Sequence, residues 1–321
     1  MRKRCLIIGF SFLMLFALAT GDCTWAKYPE RKIRFIAAFA PGGGADIMAR
    51  AVTKFANPHL GGRLYVENIP GASGAIGFRE GAKSAPDGYT LVMMVTSIMA
   101  APHVTKNYPT YNLFDPICVA AQDPTMLSVK TDSRFKTIQD LMAYAKANPG
   151  ALTVSTAGVG AIDHLYMAAL AKSIGTSFNF VPYKGAGPAT VAAAGGHAEA
   201  VGSGYSEAFS LMTGKKLRPL VVFTHTRSNL FPDVPTAKEM GHDLAVYLWR
   251  AVGVPKGVPQ DVKDTLVDAF KKAVKDPEFQ KMVKEMGLEP IFLGPIQAIP
   301  FLKKQDEFLT GIATKIGLEP Q

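Results

Sequence analysis

The stretch Ile33-Arg34-Phe35-Ile36-Ala37-Ala38-Phe39-Ala40-Pro41-Gly42-Gly43-Gly44-Ala45-Asp46-Ile47-Met48 decides the fold. Ile33 to Phe39 is a short apolar run of β-favouring residues and reads as a strand. Pro41-Gly42-Gly43-Gly44 breaks it. Ala45 to Phe55 then places Met48, Val52 and Phe55 at helical spacing. The order strand, Gly-rich turn, helix recurs downstream. Leu64–Val66 reads as a strand, Asn68 to Gly74 as a loop, and Ala75–Ser84 as a helix. Pro86-Asp87-Gly88 is a turn before the strand Tyr89–Val95. Such alternation implies a parallel, doubly wound α/β sheet.

The pattern then restarts. Met126–Val129, Leu152–Ser155, Phe178–Pro182 and Leu217–Phe223 read as strands. Thr137–Ala147, Ile162–Ile174 and Pro188–Ala194 read as helices, the last with proline in its first turn. Gln260–Val274, Pro277–Met286 and Pro295–Ile316 add helices at the end. The sequence thus predicts two α/β lobes, the second inserted into the first. Crossings are expected near Phe114–Pro124 and His225–Trp249. Lobe one is residues 27–122 plus 226–321, and lobe two is 123–225.

Length and composition agree. The chain has 321 residues, enough for two domains. Hydrophobic residues at 48% and charged residues at 19% exclude a disordered tail. The 30 Gly and 22 Pro follow no repeat, which excludes a collagen-like chain. Arg2, Lys3 and Arg4, the apolar run Leu6–Ala19 and Thr24-Trp25-Ala26 together read as a secretory leader, residues 1–26, cleaved before Lys27. A retained anchor needs a longer apolar run. A lipid on Cys23 is the other alternative, with Asp22 ill-suited to it. Cleavage removes Arg2, Lys3, Arg4 and Asp22, which takes the net charge from +9 to +7. That suits an anionic small molecule. Without a tight Lys/Arg block, no nucleic-acid partner is expected. Only Cys118 would remain, in an apolar run, and reads as a buried structural thiol.

Four loops carry the candidate chemistry: 41–46, 68–74, 155–161 and 183–188. Each joins a strand to a helix N-terminus, where unpaired amides and the helix dipole favour an anion. None matches a phosphate or dinucleotide signature. Asp46 can cap the first helix. Thr96 and Ser97 end one strand, Ser155 and Thr156 another, and can donate hydroxyls. His164 follows the third loop. Tyr183 and Lys184 open the fourth, Lys184 as either a counter-charge or a surface residue. No G-x-S-x-G, H-E-x-x-H or C-x-x-C pattern occurs, so no metal, no cofactor and no catalytic residue are expected.

At these residues the chain resembles the periplasmic solute receptors of the tripartite tricarboxylate transporter family, the Bug-type receptors. The resemblance is carried by Phe39 to Asp46, Val66 to Gly74, Pro86 to Leu91 and Pro182 to Ala189. Gly195 to Ala200, Leu217 to Leu220 and Pro232 to Thr236 complete it. It implies a two-lobed type II periplasmic-binding-protein fold, a Venus flytrap with its ligand cleft between the lobes. It implies a monomer that binds a small organic carboxylate and docks on a small and a large membrane subunit. By position it assigns ligand contacts to Pro41, Gly42, Gly43, Gly44 and Asp46, to Ala72, Ser73 and Gly74, and to Thr96 and Ser97. On lobe two it assigns Ser155, Thr156, Ala157, Gly158, His164, Tyr183 and Ser203. Ser73 stands where many members have glycine. Ser203 lies near a position where many have an aspartate that reaches the ligand. The uncharged Gly202-Ser203-Gly204 therefore speaks against an amino-group contact there. A receptor feeding a signalling partner and an exported serine hydrolase are the alternatives; the second lacks a motif.

Overall fold

The computed structural model describes residues 28–228 and 231–317; the expected leader and Cys23 lie outside the described residues. The chain opens with β1 (Ile33–Ala37), α1 (Gly44–Ala56), β2 (Leu64–Asn68), α2 (Ala75–Lys83), β3 (Thr90–Val95) and the single turn α3 (Ser97–Ala100). β1 lies between β2 and β3, parallel to both. Ile33, Phe35, Ile36 and Ala37 are fully buried, as strands covered on both faces must be.

β4 (Phe114–Lys130) then runs for 17 residues. Its first part, to Pro124, pairs antiparallel with β9 (Tyr247–Pro255). From Thr125 onward it pairs with β7 (Ala200–Gly204), and from Met126 also with β8 (Leu217–Val222). One strand thus belongs to two sheets, and Pro124, which has no N–H to donate, stands where the partner changes. The second sheet is filled by α4 (Ile138–Ala147), β5 (Thr153–Thr156), α5 (Ile162–Ser173), β6 (Asn179–Pro182), α6 (Ala186–Ala194) and α7 (Tyr205–Thr213). β5 is parallel to β6 and β7. The chain returns to the first sheet through β9, followed by α8 (Gln260–Lys275), α9 (Pro277–Glu285), β10 (Glu289–Leu293) and α10 (Pro295–Ile316).

The two-lobed α/β architecture is present, with two corrections. Neither sheet is purely parallel: in the first, β9 is antiparallel to β3 and to β4, and in the second, β4 is antiparallel to β7 and to β8. The crossing is one continuous strand instead of a connection ending in a short strand at Met126. The expected buried thiol is found at Cys118, which is fully buried and pushed up to about 12 by that burial. No described helix is long and apolar enough to cross a membrane.

Candidate functional site

The lobes meet. Ser73 Oγ donates to the Val159 carbonyl, Ala40 N to the Lys184 carbonyl at 3.3 Å, and Ile162 N to Ser97 Oγ at 3.1 Å. Gly158 has φ of +146°, and a Cβ there would lie 2.4 Å from Ser73 Oγ, so only glycine lets the two loops approach so closely. Behind these contacts is a cavity of about 30 Å³. It has room for a water or two in this closed arrangement.

Four helix N-termini border it. α1 contributes Gly43, Gly44 and Ala45; α5 contributes Ile162 and Asp163; α6 contributes Ala186; α7 contributes Glu207. α1 starts without a side-chain cap, and among the described residues no acceptor takes the Gly44 or Ala45 amide. Thr96 Oγ1 accepts the Trp249 amide at 2.8 Å, and Ser97 Oγ accepts that of Ile162. Each hydroxyl keeps its proton to donate. Phe39, Val95, Ala157 and Leu248 supply apolar wall.

At one end lies a buried charge cluster. Arg250 Nη2 is 3.3 Å from Asp123 Oδ2 and 3.2 Å from Glu207 Oε1. It joins β9 of lobe one to the crossing strand and to α7 of lobe two. Asp123 also accepts the amide and hydroxyl of Ser206, and Glu207 Oε2 accepts the Gly204 amide at 2.7 Å. Burial pushes Asp123 up to about 7, against the pull of Arg250. Burial likewise raises Asp163 to about 8, opposed by the Ala157 amide and reinforced by Glu207. A Cβ on Gly44 would fall 2.2 Å from Arg250 Nη2. Next to Arg250 in the chain, Trp249 is fully buried and its indole Nε1 has no hydrogen-bond partner among the described residues.

Of the residues assigned from sequence, Gly43, Gly44, Thr96, Ser97 and Ala157 line the cavity. Pro41 and Gly42 are exposed beside it. Asp46 braces the loop instead: its Oδ2 accepts Gly42 N at 3.0 Å and its Oδ1 pairs with Arg50. Ala72, Ser73 and Gly74 form a turn outside the cavity lining, where Ser73 makes its cross-lobe bond. Ser155 Oγ donates to the Ala189 carbonyl at 2.9 Å and Thr156 Oγ1 is buried without a partner. Gly158 is at the lobe contact. His164 Nδ1 accepts the Gly160 amide and its ring meets Phe180 edge-on. Tyr183 packs against the small apolar cluster of Ala189, Ala193, Val201, Ala208 and Leu217, and Ser203 Oγ is buried in β7.

Sequence reasoning missed Asp163, Glu207 and Arg250. Arg250 did leave a signal, a lone charge within the apolar run Val246 to Val254, where an unpaired arginine would not be buried. Glu207 stands three residues after Gly204, at the spacing of a capping acid.

The comparisons agree with this architecture. The family model described as "Tripartite tricarboxylate transporter family receptor" matches residues 48–318. The UPF0065 protein of the gbd 5' region of Cupriavidus necator is 35% identical over 91% of this chain and 89% of its own. The solved periplasmic binding protein BugD is 30% identical, with a TM-score of 0.87 over 92% of this chain and all of its own. An R. palustris protein solved with adipate is 26% identical, with a TM-score of 0.87 over 92% and 100%. With the closed cleft between two lobes, these place the chain in the tripartite tricarboxylate transporter receptor family, as a solute-binding receptor.

Proposed function

We propose that this chain captures a small organic carboxylate in the cleft and hands it to the small and large membrane subunits of a tripartite transporter. The observation that carries the ligand class is the lobe-one wall of the cavity. Unpaired amides of Gly44 and Ala45 and the free protons of Thr96 and Ser97 converge there. All four are donors, and the α1 dipole adds to them. The R. palustris relative solved with adipate supports the same class.

The chain acts as a binder and not as an enzyme. Ser155 Oγ is spent on the Ala189 carbonyl and His164 Nδ1 on the Gly160 amide, so neither is poised for acyl transfer. Export through the leader, residues 1–26, and function as a monomer complete the reading. The moving units are residues 27–122 with 226–321 and residues 123–225, hinged where β4 changes partner.

Thermal melting of the protein from Lys27 onward, against mono-, di- and tricarboxylates, tests it. A ligand at 100 times its Kd adds about 2.7 kcal/mol. That raises Tm by a few degrees. A selective shift by one acid is expected. A panel of carboxylates without any shift would overturn the reading.

A further inference from the structure

The two walls of the cavity are unlike. Lobe one offers donors, the Gly44 and Ala45 amides and the Thr96 and Ser97 hydroxyls. Lobe two offers acceptors. Asp163 lines the cavity at 4% exposure; its Oδ2 accepts the Ala157 amide, and its Oδ1 has no hydrogen-bond partner among the described residues. Glu207 is on the same wall, with both oxygens engaged by Arg250 and Gly204. Among the described residues lining the cavity, Arg250 is the sole cation, and Asp123 and Glu207 share it. Among the described residues lining the cavity no other cationic side chain faces Asp163; only backbone amides, of Ala157, Asp163 and His164, oppose its burial. A buried carboxylate oxygen without a donor is costly, so a ligand that brings one gains accordingly.

We propose that Asp163 is a specificity residue that receives an ammonium group, so that the cleft takes an aminocarboxylate, its acid end on lobe one and its amino end on lobe two. The proposal rests on the carboxylate-receptor reading above. A second carboxylate would be the other fit, held by a protonated Asp163. Glu207 beside it repels that group and attracts a cation. The other ionisable groups around Asp163 do not compensate it. Arg250 faces Asp123 and Glu207, and Tyr166 donates to the Met126 and Ser203 carbonyls. His164 is turned to Gly160 and Phe180, and burial lowers its pKa. Burial raises Asp163 to about 8, so an ammonium must displace its proton at neutral pH. Preference for the amine therefore strengthens as pH rises toward that value.

Isothermal titration of the protein from Lys27 onward with paired ligands decides it: L-glutamate against glutarate, L-aspartate against succinate, γ-aminobutyrate against butyrate. In at least one pair the amine member should bind about tenfold tighter. The ratio should grow between about pH 6 and about pH 8. Asp163→Asn, which keeps an acceptor for Ala157 N, should shrink the ratio by about tenfold. Plain acids that bind as well as or better than their amino partners would overturn the role of Asp163 and leave the receptor reading standing. So would an unchanged ratio in the variant. If the variant does not fold, the pH dependence of the wild-type ratio decides alone. Silence from every carboxylate, with or without an amine, would overturn both.

Discussion

Arg250 is a fully charged side chain, 2% exposed, in the middle of an apolar strand. Its two carboxylate partners repel each other without it. Arg250→Leu leaves Asp123 and Glu207 buried and uncompensated, and should cost about 3–5 kcal/mol in urea unfolding. The double variant Arg250→Leu/Asp123→Leu should recover much of that loss. If it recovers none, charge is not the cause. Both Asp123 and Asp163 hold their protons more tightly folded than unfolded. Their contribution to stability is therefore fullest below about pH 4 and declines as pH rises through about 7 and 8. At this scale the sequence was partly readable. Glycines and hydroxyls at strand ends were visible from local spacing, and four of them, Gly43, Gly44, Thr96 and Ser97, line the cavity. Asp163, Glu207 and Arg250 come from three elements far apart in the chain. Their meeting follows from the closure of one lobe on another, which no local pattern encodes.

Among the elements, helices with clear entry signals were legible and strands with conflicting ones were not. α4 starts at a reciprocal cap: Thr137 Oγ1 accepts the Asp140 amide at 3.1 Å, and Asp140 Oδ2 accepts that of Thr137 at 2.9 Å. Thr137→Ala should cost about 1 kcal/mol in chemical unfolding and leave ligand affinity as it was, since α4 does not line the cavity. A changed affinity would mean that α4 is coupled to the cleft. β4 was hidden by Pro116 and Pro124, which argue against a continuous strand in any local reading. Tertiary pairing overrides them: β9 pairing shifts register just after Pro116, and Pro124 stands at the change of sheet. β7 was obscured by Gly202 and Gly204, although the whole strand is buried. β9 was masked by Arg250 and Gly253.

For the whole molecule, two cross-lobe bonds outside the cavity lining, Ser73 to Val159 and Ala40 to Lys184, hold the closed form. They exist only when the lobes touch, so they bias the equilibrium toward closure without touching a ligand. Ser73→Ala removes one neutral hydrogen bond, about 0.5–1.5 kcal/mol. Ligand affinity should fall by about two- to tenfold, mostly through faster dissociation, as surface plasmon resonance would show. Unchanged dissociation would place the latch elsewhere. That there are two lobes was legible, because the strand-helix pattern breaks and restarts. Which loops would touch was not, because the hinge angle is set by a strand the sequence did not disclose.

Trp249 gives this architecture a built-in optical reporter. The chain has two tryptophans, and the other, Trp25, lies in the expected leader. A protein beginning at Lys27 would carry one indole, fully buried on the face of β9 opposite to that of its chain neighbours Leu248 and Arg250, which both line the cavity. Its emission is then a single-site signal, blue while the cleft stays packed. Stopped-flow fluorescence could time the closing of the jaws directly, with no dye attached and no other indole to subtract.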